Sequence, residues 1–298
     1  MTERTALLIS NPNAGRGGLV REREVGRFRE ELERRGVHVE LLSTAGPRDA
    51  ERLAREGVAR GLREVIVAGG DGTVNEALQG LVGSGARVGV WPAGTANVLA
   101  RHLGLPFDAE GAARAVASGR TRRITLGRAV EEESGRSRFF FLMAGVGLDA
   151  SVVKNVRPRL KKRVGEAAYW FSGFAHLAHW RPRIFTVEVE GREYPATYAA
   201  VGKAPWYGGG LSLTPRARLD AGEFEVCLIN TRSRLRYLRL LSHAVRGGAP
   251  EGTRGVTYLR ARRLRATGDA LVQTDGELTG RLPMTFEVVT EGVEIVVP

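Results

Sequence analysis

Cysteine is almost missing from this chain, since Cys227 is the single one in 298 residues. One thiol cannot close an internal bridge, so no disulfide framework holds the fold, and a reducing compartment is expected. Long apolar runs are missing too. No stretch of the sequence reaches the roughly 18–20 consecutive apolar residues that cross a bilayer. The start, Met1-Thr2-Glu3-Arg4-Thr5, has no basic region followed by an apolar run, so no signal peptide is read and a cytoplasmic protein is expected. His38, His102, His176, His179 and His243 are scattered, which excludes a zinc cluster of His and Cys spacing. Lysine is scarce: Lys154, Lys161, Lys162 and Lys203 are the only ones among 45 basic residues. No internal repeat or low-complexity tract is visible.

What is present is arginine, in excess. The net charge is +12 and the pI near 10.7. Such a balance suits phosphate substrates, anionic lipid or nucleic acid. Nucleic acid has no support beyond charge, and no nucleic-acid partner is expected. The hydrophobic content of 43% suits one large or two ordinary domains.

The first 120 or so residues alternate strand and helix. Strands are read over 5–10, 37–44, 64–68 and 88–92, and helices over 19–35, 47–60, 74–82, 96–103 and 108–118. Regular βαβ alternation predicts a parallel sheet with ligands at the carboxyl ends of its strands. After about residue 122 the texture becomes β-rich. Strands are read over 124–130, 139–144, 185–190, 194–201, 224–230, 258–266, 270–274, 286–289 and 293–297, interrupted by helices over 159–179 and 233–245. The expected architecture is α/β: a Rossmann-like parallel-sheet domain over 1–122 and a β-sandwich domain over 123–298, with the last strand free to return to the first domain.

The most informative run is Gly69-Gly70-Asp71-Gly72-Thr73, between a buried strand and a helix. A glycine turn there lets the backbone approach a ligand and points helix N–H groups outward, a phosphate site. Asp71 conflicts with a phosphate by charge, which suggests a bridging Mg²⁺ or a proton-transfer role. A βα turn without a ligand is the plainer reading. Asn11-Pro12-Asn13-Ala14-Gly15-Arg16-Gly17-Gly18 is a flexible turn with a cation after the first strand. Pro92-Ala93-Gly94-Thr95-Ala96-Asn97 repeats the glycine turn after the fourth strand, so two turns could clamp one polyphosphate. In Gln273-Thr274-Asp275-Gly276-Glu277 two carboxylates flank a glycine. The pair suits Mg²⁺ binding or a general base, and Asp-Gly equally suits a type I′ hairpin turn. Arg218-Leu219-Asp220-Ala221-Gly222-Glu223 carries the same ambiguity. Over 158–182 an apolar stripe with Lys161, Lys162, Arg163, Tyr169 and Trp170 off it suits either a membrane interface or a core-packed helix.

Together these segments resemble the diacylglycerol kinase catalytic family, in its bacterial soluble lipid kinase branch, related to sphingosine and ceramide kinases. The resemblance runs in order over nearly the whole chain. It rests on Asn11-Pro12 with Gly15, the 69–73 turn with Glu76, Gly94-Thr95-Ala96-Asn97, Gly145-Val146-Gly147-Leu148-Asp149, Tyr207-Gly208-Gly209-Gly210, Asp220 with Gly222, and Asp275-Gly276-Glu277. NAD kinases and phosphofructokinases share the Gly-Gly-Asp-Gly turn without the later set.

The resemblance implies ATP, with Mg²⁺, in a cleft between the two domains. It places Asn11, Arg16 and Thr44 near the nucleotide, Gly70, Asp71, Gly72, Thr73 and Thr95 around its phosphates, and Glu76 toward the adenosine, with Gly69, Asn75, Gly94 and Asn97 completing the nucleotide set. Asp71, Asp275 and Glu277 become the catalytic carboxylates, the base being Asp275 or Glu277. A second, structural metal is implied near Arg218, Asp220, Ala221 and Glu223, held partly by backbone carbonyls. The chain departs from the family's pattern at Val98, Ala221 and Thr125, where many members carry acids. The expected activity is phosphoryl transfer to a lipid hydroxyl such as that of diacylglycerol, at an anionic membrane surface met peripherally, with a homodimer left open. The alternatives are a kinase of a soluble alcohol or of NAD, and a nucleotide-sensing regulator without turnover.

Overall fold

The computed structural model describes residues 4–15, 19–148, 150–151, 182–207 and 210–298. The described chain forms two compact units, Met1–Ile124 with Glu291–Pro298, and Thr125–Thr290. The division lies two residues beyond the boundary read from the sequence, and the last eight residues return to the first unit.

The first unit is built on parallel strands. β1 (Arg4–Ser10), β2 (Val37–Ser43), β3 (Glu64–Gly69) and β4 (Arg87–Pro92) lie in the order β2-β1-β3-β4. The end of β16 (Met284–Val296) adds a fifth parallel strand beside β4, with Glu294 opposite Arg87 and Ile295 opposite Val88. Ala6, Leu7, Leu8, Ile9, Val65, Ile66, Val67 and Ala68 are wholly buried, as a sheet covered on both faces requires. α1 (Leu19–Arg34), α2 (Asp49–Ala59), α3 (Asp71–Leu81), α4 (Val98–Leu103) and α5 (Ala109–Ser118) complete the unit. α2 buries Ala50, Leu53, Ala54 and Gly57, the i, i+3, i+4, i+7 stripe of an amphipathic helix. Parallel strands with β3 at the centre, between β1 and β4, put the ends of β1, β3 and β4, and the loops after them, side by side.

The second unit is two antiparallel sheets around one core. One sheet has the order β12-β11-β10-β7-β14-β15: β12 (Val256–Ala261), β11 (Phe224–Ile229), β10 (Tyr198–Gly202), β7 (Met143–Val146), β14 (Leu271–Thr274) and β15 (Glu277–Arg281). The other contains β5 (Thr121–Glu131), β6 (Ser137–Phe140), β8 (Phe185–Val189), β9 (Arg192–Ala196), β13 (Arg263–Thr267) and the first part of β16. Their inward residues, among them Phe140, Val146, Phe185, Val201, Phe224, Met284 and Phe286, form one apolar cluster. The Phe140 and Phe224 rings stack 5.7 Å apart. The helix α6 (Arg234–Val245) is capped by Ser233, whose hydroxyl accepts from the Arg236 amide.

Three runs that read as single strands are each two strands. The run 139–144 divides into β6 and β7, 194–201 into β9 and β10, and 258–266 into β12 and β13. In each case the chain crosses from one sheet to the other at one or two residues: Phe141-Leu142, Thr197 and Arg262. Phe141-Leu142 is as apolar and buried as the strands it joins, so hydrophobicity does not mark that corner. Thr197 at its corner is wholly buried, its hydroxyl 2.9 Å from the carbonyls of both Ile229 and Thr231. Conversely 286–289 and 293–297 belong to one long strand, β16, and β15 has no counterpart in the sequence reading. The helix read over 159–179 lies outside the described residues.

Candidate active site

The first unit gathers three loops at the carboxyl ends of β1, β3 and β4. They touch backbone to backbone. A Cβ on Gly94 would lie 2.4 Å from the Gly70 Cα, and one on Gly15, where φ is +59°, would lie 2.5 Å from the Ala93 carbonyl oxygen. No side chain fits at those contacts, which is the physical reason for glycine at 15, 70 and 94. Polar bonds fasten the same loops. The Asn11 amide donates to Thr73 Oγ1 at 2.9 Å, and the Asn11 N–H donates to the Ala68 carbonyl at 3.0 Å. The Ala93 N–H donates to the Gly69 carbonyl, and the Thr44 N–H to the Ser10 carbonyl, both at 2.9 Å. Asn11, Thr44, Gly69, Gly70, Thr73 and Gly94 are therefore neighbours, while Arg16 lies outside the described residues.

Asp71 resolves the charge conflict that the sequence raises. Its carboxylate accepts the Val98 N–H at 2.9 Å and the Leu99 N–H at 3.1 Å, the first two amides of α4. It is thus a cap supplied from another helix, stabilised by the positive end of the α4 dipole. Burial raises its pKa, and the two amide bonds oppose that rise. The expectation of two equivalent glycine turns clamping one polyphosphate is corrected at this point. The α4 amides that a phosphate would need are already occupied by Asp71. α3 differs: Gly70 at its N-cap has extended backbone, and among the described residues no side chain caps this helix. The Gly72 and Thr73 amides belong to its first turn, with Gly72 exposed.

Two other nucleotide-set residues are turned inward. Asn97 is buried, accepting the Gly94 N–H at 2.9 Å and donating to the Gly94 carbonyl at 2.8 Å, so it holds the turn in shape. Asn75 is buried, and both its backbone carbonyl and its Oδ1 accept from Gln79 Nε2. Its side-chain oxygen is thereby engaged within α3. Thr95 is exposed and Glu76 half-buried.

In the second unit Asp275 and Glu277 sit at the β14–β15 hairpin. Asp275 and Gly276 have φ of +47° and +84°, the backbone of a type I′ turn, so the hairpin reading of Asp-Gly is correct. The turn still carries two very different carboxylates. Asp275 accepts three backbone amides: Phe141 at 2.9 Å, Leu142 at 3.0 Å and Met143 at 3.0 Å. Phe141 and Leu142 are the corner between the two sheets, buried and without ladder partners for those amides. Glu277 is nearly half exposed, and among the described residues only its Oε2 is engaged, by Arg138 Nη2 at 3.1 Å. The Gly276 N–H and the Tyr207 hydroxyl both donate to Gln273 Oε1, fixing the turn from below. Gly208, Gly209 and Asp149 lie outside the described residues.

The residues expected to hold a structural metal do not fit one. Asp220 is ion-paired to Arg218 at 3.1 Å, and Glu223 to Arg260 at 2.9 Å. The Ala221 carbonyl is taken by Thr125 Oγ1, at 2.6 Å, and by the ammonium of Lys203, which also reaches the Glu223 carbonyl at 3.5 Å. A divalent ion needs six or more oxygens turned toward it, and here a cation already occupies the cradle. No other cluster of metal-ligating side chains occurs among the described residues. Sequence reading missed Lys203, whose one signal is that it is a lone lysine among arginines. It is wholly buried, and burial pushes its pKa down to about 8 against the carboxylates of Asp220 and Glu223. Chelators and millimolar Ca²⁺ should therefore leave the melting temperature of the protein unchanged. Lys203→Ala should lose about 1–3 kcal/mol through the carbonyls left unpaired. Millimolar Ca²⁺ should then restore part of that loss, which differential scanning calorimetry reads directly.

Comparison with known proteins places the fold and the motifs in one group. Residues 5–129 match the family described as diacylglycerol kinase catalytic domain, and residues 143–297 match the YegS C-terminal NAD kinase beta sandwich-like domain. A diacylglycerol kinase of Mycobacterium tuberculosis is 32% identical over 97% of this chain and 94% of its own length. One of Bacillus subtilis is 29% identical over 98% and 96%. A crystal structure of a diacylglycerol kinase from Bacillus anthracis superposes with a TM-score of 0.75 at 20% identity, covering 100% of this chain and 98% of that one, which bears on the fold alone. With a relative above 30% identity along nearly its whole length, and both halves matched in order, the chain belongs to the diacylglycerol kinase family.

Proposed function

We propose that the chain is an ATP-dependent lipid kinase that transfers the γ-phosphate to a hydroxyl of diacylglycerol or of a closely related lipid. The observation that carries this reading is the contrast between α3 and α4. One glycine turn leaves a helix N-terminus uncapped at the strand ends, while the neighbouring one is capped by Asp71. An uncapped N-terminus behind a glycine turn favours phosphate by its amides and its dipole. ATP enters as its Mg²⁺ complex, the metal riding on the phosphates as is usual for such substrates. Asn11, Thr44, Thr73, Thr95 and Glu76 are the side chains offered to the rest of the nucleotide.

Catalysis of phosphoryl transfer is mostly positioning and charge neutralisation. The lipid hydroxyl oxygen attacks the γ-phosphorus, the new O–P bond forms as the bond to the β,γ-bridging oxygen breaks, and ADP leaves. The hydroxyl proton goes to Glu277. Asp275 is unsuited to that role because its oxygens are committed to three amides, whereas Glu277 Oε1 makes no hydrogen bond among the described residues. Arg138 holds the Glu277 carboxylate from one side.

A lipid acceptor requires contact with a bilayer. No described helix is long and apolar enough to cross one. The segment carrying Lys161, Lys162, Arg163, Tyr169 and Trp170 lies outside the described residues. Incubation with γ-labelled ATP, Mg²⁺ and a crude lipid extract should label a phospholipid that mass spectrometry identifies as the phosphate ester of a diacylglycerol. Label appearing only in NAD or in a soluble alcohol would refute the acceptor class. ATP binding without any turnover would refute the kinase reading itself.

A further inference from the structure

α6 has two apolar faces. Tyr237, Leu240 and Ala244 are buried against the sandwich, at the i, i+3, i+7 spacing of an ordinary surface helix. On the opposite side Leu235, Leu238 and Val245 are 79%, 40% and 56% exposed. These are three of the seven exposed large apolar residues among the described ones. Arg232, Arg234, Arg239 and Arg246 surround them, all exposed. None of these four pairs with a carboxylate among the described residues. Many arginines elsewhere are held by acids, as in Arg52 with Asp49 and Glu56, Arg55 with Glu51, Arg216 with Glu225 and Glu251, and Arg265 with Glu132. The sequence contains no Asp or Glu from Asn230 to Pro250. An apolar stripe flanked by unpaired guanidinium groups, on a segment free of acids, is matched to a surface that is anionic at the level of its charges and apolar just beneath.

We propose that the outer face of α6 is the membrane-docking surface of this protein, seating Leu235, Leu238 and Val245 at the acyl boundary of an anionic bilayer while Arg232, Arg234, Arg239 and Arg246 engage lipid phosphates. The geometry is that of an interfacial helix, lying in the plane of the surface with its arginines extended toward the head groups. A second copy of the chain is a poorer occupant, because a self-contact through this face would bring unpaired arginines together. The proposal rests on the lipid kinase reading for its purpose, but its measurement does not.

The test is co-sedimentation of the full chain, without ATP, on vesicles of phosphatidylcholine alone or mixed with phosphatidylglycerol. Binding should require the anionic lipid and weaken as salt rises, since exposed charges are screened over about 8 Å at physiological ionic strength. Arg234→Gln with Arg239→Gln should lower the partition coefficient roughly 20-fold or more. Leu235→Ser with Leu238→Ser should lower it roughly 10-fold or more at unchanged charge. All four positions are exposed, so the variants should melt as the parent does, and turnover on a short-chain diacylglycerol dispersed below its aggregation limit should stay the same. Unchanged vesicle binding by both double variants overturns the proposal. So does equal binding to neutral vesicles, and so does a dimer in the parent that sedimentation shows to be dissociated by the leucine changes. If no diacylglycerol is phosphorylated yet binding depends on α6, the kinase reading fails and the docking surface stands.

Discussion

Glu277→Gln is expected to lower the turnover number for lipid phosphorylation by roughly 100-fold or more, the range of a lost general base. The fold should not notice. The side chain is nearly half exposed and makes one hydrogen bond among the described residues, to Arg138, so the stability change should stay within about 0.5 kcal/mol. The Michaelis constant for ATP should move little, because an interaction made only as the hydroxyl attacks affects turnover rather than ground-state binding. Glutamine keeps the size of the side chain and an oxygen for Arg138, and removes only the capacity to take a proton. Near-normal turnover in a folded Glu277→Gln protein would remove this residue from the chemistry and leave the hairpin as architecture.

The βα alternation of the first unit is legible because β1, β3 and β4 are nearly continuous buried runs and α2 shows a single apolar stripe. Ala6 to Ile9 and Val65 to Ala68 announce themselves as continuous apolar runs, and the glycine turns fall where those runs stop. What the sequence conceals is where a side chain points after the turn. Asp71 follows Gly70 by one position, yet its carboxylate serves a helix 27 residues further on. That partner is set by the backbone contact between Gly70 and Gly94, which no local pattern encodes. The sandwich was legible as β-rich texture but not as strands, since corners such as Phe141-Leu142 and Thr197 are as buried as the strands they join. Lys203 was invisible for a similar reason. Its burial depends on carbonyls 18 and 20 residues away that turn toward it. The acid pair at 275 and 277 was found from spacing, but only the amides of the corner decide which of the two keeps an oxygen for a proton.

Asp275→Asn tests that division from the other side, and its largest effect should be on stability. The carboxylate closes a corner at which Phe141, Leu142 and Met143 each offer an N–H, and Phe141 and Leu142 are buried. Bonds from amides to a charged acceptor contribute about 1.5–3 kcal/mol each, more than neutral ones. Asparagine keeps one oxygen, which can still accept from Leu142 and Met143, and places an NH₂ group against the Phe141 N–H. One charge-assisted bond is lost, a donor faces a donor, and the remaining two bonds become neutral. A loss of about 2–4 kcal/mol follows, and the melting transition should fall by roughly 5–10 °C. Turnover should drop as well, because the same turn carries Glu277, but the two variants should differ in kind. Glu277→Gln should be slow and stable, Asp275→Asn slow and unstable, and lowering the temperature should recover activity only in the second. If Asp275→Asn melts with the parent protein while losing turnover, its carboxylate acts on the reacting groups rather than on the corner, and the assignment of the proton to Glu277 alone must be abandoned.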